Sequence, residues 1–232
     1  MTLKKFMSRN WGFHVINCKY ILFIVEYSII ILILNGDTMG VYIEDLIVHY
    51  IKKFREVTND EENILRYGAK IIYYNLSKFV SVFLSAYILD IFSQVCTVFI
   101  LVAIIRSFAF GFHAETFISC LLLTFINIFG IIYISSSVLN PLLKLFLCII
   151  SFILFFVYAP ADTEERPLVD SQKRKKLKIT VLLIWMLYVI LAYYTNCQFY
   201  NMLLLSLFFM ALNTCPILYI LFRKEYKNCE RI

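Results

Sequence analysis

Charge is scarce in this sequence. Only 16% of the 232 residues are Asp, Glu, Lys or Arg, while 61% are apolar, well above the roughly half found in soluble domains. That balance excludes a soluble globular domain and leaves an integral membrane protein. A ten-residue alternation of apolar and polar positions is also missing, which excludes a transmembrane barrel. Cysteine is not rare, but CxxC and zinc-finger spacings are absent: the seven cysteines, at 18, 96, 120, 148, 197, 215 and 229, are scattered. Most lie inside apolar runs and read as small buried hydrophobes. No metal site and no cofactor is expected.

What is present is a series of apolar runs of about 20 residues, each enough to cross roughly 30 Å of hydrocarbon as a helix. The spans are expected at Ile71 to Phe92, Val95 to Ile105, Phe117 to Ile134, Leu139 to Tyr158, Ile179 to Thr195 and Tyr200 to Phe222. The second is short and extends through Phe112. Before them, VYIEDLIVHYIKKFRE from Val41 to Glu56 sets Val41, Leu46, Val48, Ile51 and Phe54 among charges, as an amphipathic helix on a membrane surface would. Thr58 or Asn59 caps the helix that follows. Asn140-Pro141 reads as a span start and Cys215-Pro216 as a kink. The expected fold is all-α: a polytopic membrane protein of about six transmembrane helices plus an N-terminal amphipathic surface helix.

The net charge of +6 comes from Lys and Arg gathered in short polar segments, which marks cytoplasm-facing loops and carries no nucleic-acid meaning. With Arg55, Arg66 and Lys70 inside, six crossings also put Arg106, the run KRKKLK from Lys173 to Lys178 and the tail from Arg223 inside. Lys144 alone falls near an outer end. Both termini are therefore expected in the cytoplasm of a multi-pass cell-membrane protein.

Residues 1–40 stand apart as an N-terminal extension to a domain over 41–232. Val15 to Leu34 could span by itself, but no small-residue cleavage site follows it as in a signal peptide. Gly36-Asp37-Thr38-Met39 can be encoded by GGA-GAT-ACN-ATG, a ribosome-binding-like stretch just before a start codon, which makes Met39 a candidate initiator.

The chemistry-bearing segment is RSFAFGFHAETFISC, Arg106 to Cys120, at the cytoplasmic border of the second and third spans. A histidine at a membrane border is commonly a packed or snorkelling residue. The sharper reading is a Cys120 nucleophile with His113 as base. Seven residues of continuous helix would separate their Cα atoms by about 10 Å, too far for direct contact. The backbone must therefore bend, and Gly111 is where it can. Glu115 or Thr116 would cap the third span, leaving Cys120 near a helix start, which favours the thiolate. Glu115 could orient His113. Arg106 could anchor the span, pair with Glu115 or bind a substrate carboxylate.

Arg106, Gly111 and His113-Ala114 followed by Cys120, together with YAPADTEERPL from Tyr158 to Leu168 and the basic run after it, resemble the accessory gene regulator B family. These are membrane cysteine endopeptidases that process quorum-sensing propeptides in Gram-positive bacteria. The resemblance runs from about Val41 to the C-terminus. One departure is Phe110, where many members carry a small residue, which bears on the local backbone shape. The resemblance implies catalytic His113 and Cys120, a Cys120 thioester to the propeptide, and closure of a thiolactone or lactone ring. It also implies a propeptide partner with an amphipathic N-terminal part and a charged C-terminal tail. Anionic lipid and a second copy of the chain, in a homodimer, are the other expected partners. Lys173, Arg174, Lys175 and Lys176 would touch lipid or that tail.

A competing class is a small transporter or channel in which His113, Glu115 and Arg106 line an ion or proton path, with Lys78 and Asp90 as the other charges inside the spans. A scaffold subunit is a third class and would need none of these residues.

Overall fold

The computed structural model describes residues 40–112, 117–161 and 170–221. The N-terminal extension, with Met39, lies outside them. Residues 40–52 form α1, and six long helices follow: α2 (Asn59–Ile88), α3 (Phe92–Ala109), α4 (Phe117–Ser135), α5 (Pro141–Tyr158), α6 (Ser171–Tyr194) and α7 (Cys197–Thr214). A short α8 (Pro216–Leu221) closes the described chain. All six long helices are long and apolar enough to cross a membrane, and the protein is an all-α, multi-pass membrane protein.

Local sequence sets the helix starts. Thr58 caps α2 in a capping box: its hydroxyl accepts from the Glu61 amide at 3.4 Å, and the Glu61 carboxylate accepts from the Thr58 amide at 3.2 Å. Asn140 caps α5 by accepting from the Leu142 amide at 3.0 Å, with Pro141 at the first helical position. Asp170 caps α6 in the same way, through the Gln172 amide at 2.9 Å. Because Lys and Arg are good helix formers, α6 begins eight residues before the expected Ile179 and takes in the KRKKLK run.

Two expected boundaries are corrected. The first span stops at Ile88, short of Phe92, because Asp90 takes a positive φ of 56° in a tight turn to α3. Asp90 therefore sits between spans and not inside one. The last span does not continue through a kink to Phe222: α7 ends at Thr214, Cys215 is its cap, and Pro216 starts a separate helix.

The bundle is built around α7. Its residues are 61% buried against 17% for α5, and it packs on α3, α4, α5 and α6. The sequence CQFYNMLLLSLFFMALNT is apolar on every side, as a helix enclosed by others must be. Two of its polar residues make interhelical bonds: Asn201 Nδ2 donates to the Ser135 carbonyl at 3.0 Å, and Asn213 Nδ2 donates to Asn127 Oδ1 at 3.3 Å. The Tyr188 hydroxyl donates to the Leu101 carbonyl at 3.0 Å and ties α6 to α3. Trp185 Nε1 donates to Ser151 Oγ at 3.1 Å and ties α6 to α5.

Helix α1 lies against the first turns of α2. Asp45 pairs with Arg66, Lys52 pairs with Glu62 at 2.6 Å, and Val48 is buried. Tyr42, Leu46, Tyr50 and Phe54 remain exposed. The expected apolar face is thus divided, with Val48 on the protein and Leu46 and Phe54 outside.

Successive spans alternate in direction. Phe83 of α2 meets Phe92 and Phe99 of α3, and Lys178 and Trp185 of α6 meet Phe156 and Phe152 of α5. One end of the bundle therefore collects the start of α2, the end of α3, the starts of α4 and α6 and the ends of α5 and α7. Lys144 lies at the other end, over the Tyr200 ring at 4.7 Å.

Candidate functional site

At that first end the chain leaves α3 through an unusual backbone. Helix α3 ends at Ala109, Phe110 has φ 55° and ψ −130°, and Gly111 has φ +117°. A residue with a Cβ is strained in both places, which accounts for glycine at 111 and makes Phe110 the strained member. The bend expected at Gly111 is present, and Arg106 to Cys120 is not one straight helix. His113, Ala114, Glu115 and Thr116 lie outside the described residues, so the His113 base, the orienting role of Glu115 and the cap of α4 belong to that undescribed part.

Five contacts hold the segment. The Phe110 and Ala161 backbones form a parallel bridge, and the Ala161 amide donates to the Ala109 carbonyl at 3.0 Å. The Phe112 amide donates to the Asn213 carbonyl at 2.8 Å. Arg106 Nη2 donates to the Phe112 carbonyl at 3.3 Å, which uses the guanidinium to fix the bend. The Phe112 ring stands edge-on to Tyr219, centroids 5.6 Å apart. The two segments that the sequence analysis singled out, 106–120 and 158–168, thus meet through Phe110 and Ala161; residues 162–169 lie outside the described part.

Cys120 sits in the first described turn of α4, half-buried. It borders a small apolar cluster of Phe112, Ala161 and Tyr219, together with Leu123 and Leu218. Tyr74 of α2 packs on Phe117 at 4.9 Å. One helical turn further on, Lys78 Nζ lies 3.3 Å from Cys120 Sγ. The wall of the site is completed by α7, where Asn213 bonds to Asn127 of α4 and Asn127 Nδ2 donates to the Leu123 carbonyl at 2.7 Å.

Of the residues expected at the site, Arg106 and Gly111 shape the bend that carries Phe112, and Cys120 borders the cluster that holds the Phe112 ring. The basic run is at the same end: Lys173, Lys175 and Lys176 are exposed on the first turns of α6, and Arg174 is half-buried there. Lys78 was legible only as a charge inside a span; its meeting with Cys120 was not. Asn213 and Tyr219 were missed altogether, and the only available signals were a polar residue in an apolar run and an aromatic after a proline. Among the described residues, no group of three or more His, Cys, Asp or Glu could hold a metal ion.

Comparison with known proteins adds a family. The model of the family described as Accessory gene regulator B matches residues 44–214. An AgrB-like protein of Clostridium acetobutylicum is 32% identical over 166 residues, covering 71% of this chain and 79% of the relative. An AgrB-like protein of Listeria innocua is 28% identical over 189 residues, covering 75% and 87%. The accessory gene regulator protein B of Staphylococcus carnosus is 26% identical over 156 residues, covering 67% and 81%. No solved structure matches the chain.

Proposed function

The chain belongs to the accessory gene regulator B family, and from that premise we propose that it is a membrane cysteine endopeptidase that cuts a short autoinducer propeptide and closes its ring. Membership places it in accessory gene regulation, that is, in quorum sensing. The observation that carries the peptidase reading is the position of Cys120. It is a thiol near a helix start, recessed beside an apolar cluster, reached by a segment whose backbone turns at 110–112 just before His113.

In the first step the Cys120 thiol gives its proton to His113, and the sulfur attacks the carbonyl at the C-terminal side of the future signal. The tetrahedral adduct collapses, the C–N bond breaks, and the departing amine takes the proton back from His113. The remainder of the propeptide is left as a thioester on Cys120. A cysteine or serine of the same propeptide then gives its proton to His113 and attacks that carbonyl, the Cys120 C–S bond breaks, the released thiolate later recovers that proton, and a thiolactone or lactone ring forms. Exchange of one thioester for another is nearly balanced in energy, so no cofactor is needed. Phe112, Leu123 and Tyr219 keep water from the acyl-enzyme.

Positive residues at the site end favour a cytoplasmic active site and cytoplasmic termini. The exposed lysines of α6 suit anionic lipid or the charged tail of the propeptide, and a homodimer is the proposed assembly. Co-expression with the propeptide encoded nearby tests the reaction. Cys120→Ala and His113→Ala should each abolish release of the C-terminal fragment, and cleavage that survives either change sinks the assignment.

A further inference from the structure

Lys78 is an intramembrane cation whose place the peptidase reaction does not explain. It lies eight residues beyond Lys70 on α2, about 12 Å further along the helix axis. There the sequence is apolar, and a bare ammonium is costly unless something pairs with it. Among the described residues no carboxylate comes within ion-pairing distance of it. Its contact is the Cys120 sulfur at 3.3 Å. The register is fixed by packing: Tyr74 against Phe117 locks α2 to the start of α4, and the next turn of each helix brings Lys78 to Cys120.

We propose that Lys78 is a further catalytic residue, an ammonium that pairs with the Cys120 sulfur whenever that sulfur is ionised. This rests on the peptidase reading and deepens it. In the first step the thiol proton goes to His113 while Lys78 keeps all of its own, so the ion pair forms before attack. In the ring-closing step the incoming thiolate of the propeptide forms the new C–S bond, the Cys120 C–S bond breaks, and Cys120 leaves as a thiolate beside the same ammonium. One cation thus serves the nucleophile and then the leaving group, and the ionised sulfur neutralises a charge that the span would otherwise hold unpaired.

Other titratable groups that the neighbouring elements bring to this end include Arg66, Lys70, Tyr73 and Tyr74 of α2, Arg106 of α3, Tyr158 of α5, the lysines of α6, Cys215 after α7 and Tyr219 of α8. His113 and Glu115 follow outside the described residues. The adjoining end of α7, residues 211–214, carries no ionisable side chain.

The test follows alkylation of the Cys120 peptide by N-ethylmaleimide, read by mass spectrometry on the full chain in membrane vesicles between pH 6 and 10. At pH 7, Lys78→Met should slow labelling about tenfold and converge with the wild type by about pH 10, while Lys78→Arg stays within about threefold. Overlapping profiles for Lys78→Met and wild type would overturn the proposal, as would equal losses in the two variants. Buried Cys215 should stay unlabelled wherever the bundle is intact. If Lys78→Met exposes it, the wild type still decides. At a pH where histidine is neutral, Cys120 should prefer anionic iodoacetate over neutral iodoacetamide more than half-buried Cys96 does, and parity overturns the role. Cleavage surviving Cys120→Ala would remove the peptidase reading and leave the alkylation result standing. Unchanged alkylation with Cys120-dependent cleavage would remove Lys78 alone.

Discussion

Gly111 is the residue whose identity the local geometry explains most fully. Its φ of +117° is one that side chains rarely adopt, and a Cβ there would stand 2.9 Å from the Asn213 carbonyl oxygen. That oxygen cannot retreat cheaply, because it is backbone and already accepts from the Phe112 amide at 2.8 Å. Gly111→Ala should therefore cost about 1–3 kcal/mol and move the chain just ahead of His113. The expected outcome is a lower unfolding temperature in detergent together with loss of propeptide cleavage. Wild-type values for both would show that the bend tolerates a side chain. Phe110→Gly is the informative counterpart: with φ already positive, glycine relieves strain and should leave cleavage in place. A glycine and an arginine before His113 and Cys120 were readable in the sequence as a bend and a cation. The partners of Gly111 and Cys120 were not, because Asn213 and Lys78 are joined to them only by tertiary packing.

At the scale of helices, the starts were written in local chemistry, and the central position of α7 was not. Thr58 with Glu61 and Asn140 with Pro141 are signals contained within a few residues. By contrast, α5 and α7 are both 18-residue spans, yet the more apolar one, α5, with a mean hydropathy of 2.4 against 1.2, is the one left on the outside of the bundle. The hint lay in polar residues on an otherwise apolar helix: Asn201, Ser206 and Asn213 are all buried in α7. Asn213 joins α7 to α4 through Asn127, behind the wall that carries Cys120. Inside a membrane such bonds are worth about 0.5–2 kcal/mol, since the separated helices find other partners. Asn127→Leu and Asn213→Leu should each destabilise by that amount. The double variant should cost less than their sum, because both remove one shared bond. A thermal-unfolding cycle measures this, and strict additivity would mean that the two side chains do not interact.

For the whole molecule, six alternating spans force a choice that no single helix makes: the start of α2 and the end of α7 share one end of the bundle and so face the same side of the membrane. Arg66, Lys70, Arg106 and the lysines of α6 gather at the end that holds Cys120, whereas Lys144 lies at the other with exposed Cys197. The asymmetry was countable in the sequence once the spans were drawn, because it depends on where each polar segment falls and not on how the helices pack. Since positive loops are retained on the cytoplasmic side, the Cys120 end should meet propeptide made inside the cell before any export. A membrane-impermeant maleimide, read peptide by peptide in mass spectra, tests this on the unaltered chain. In intact cells it should label Cys197 and spare Cys120. In inside-out vesicles Cys197 should be protected, and Cys120, being half-buried, should label slowly. The reverse pattern would put the thiol outside and make propeptide export a condition of cleavage, whereas the expected one makes cleavage the step that precedes export.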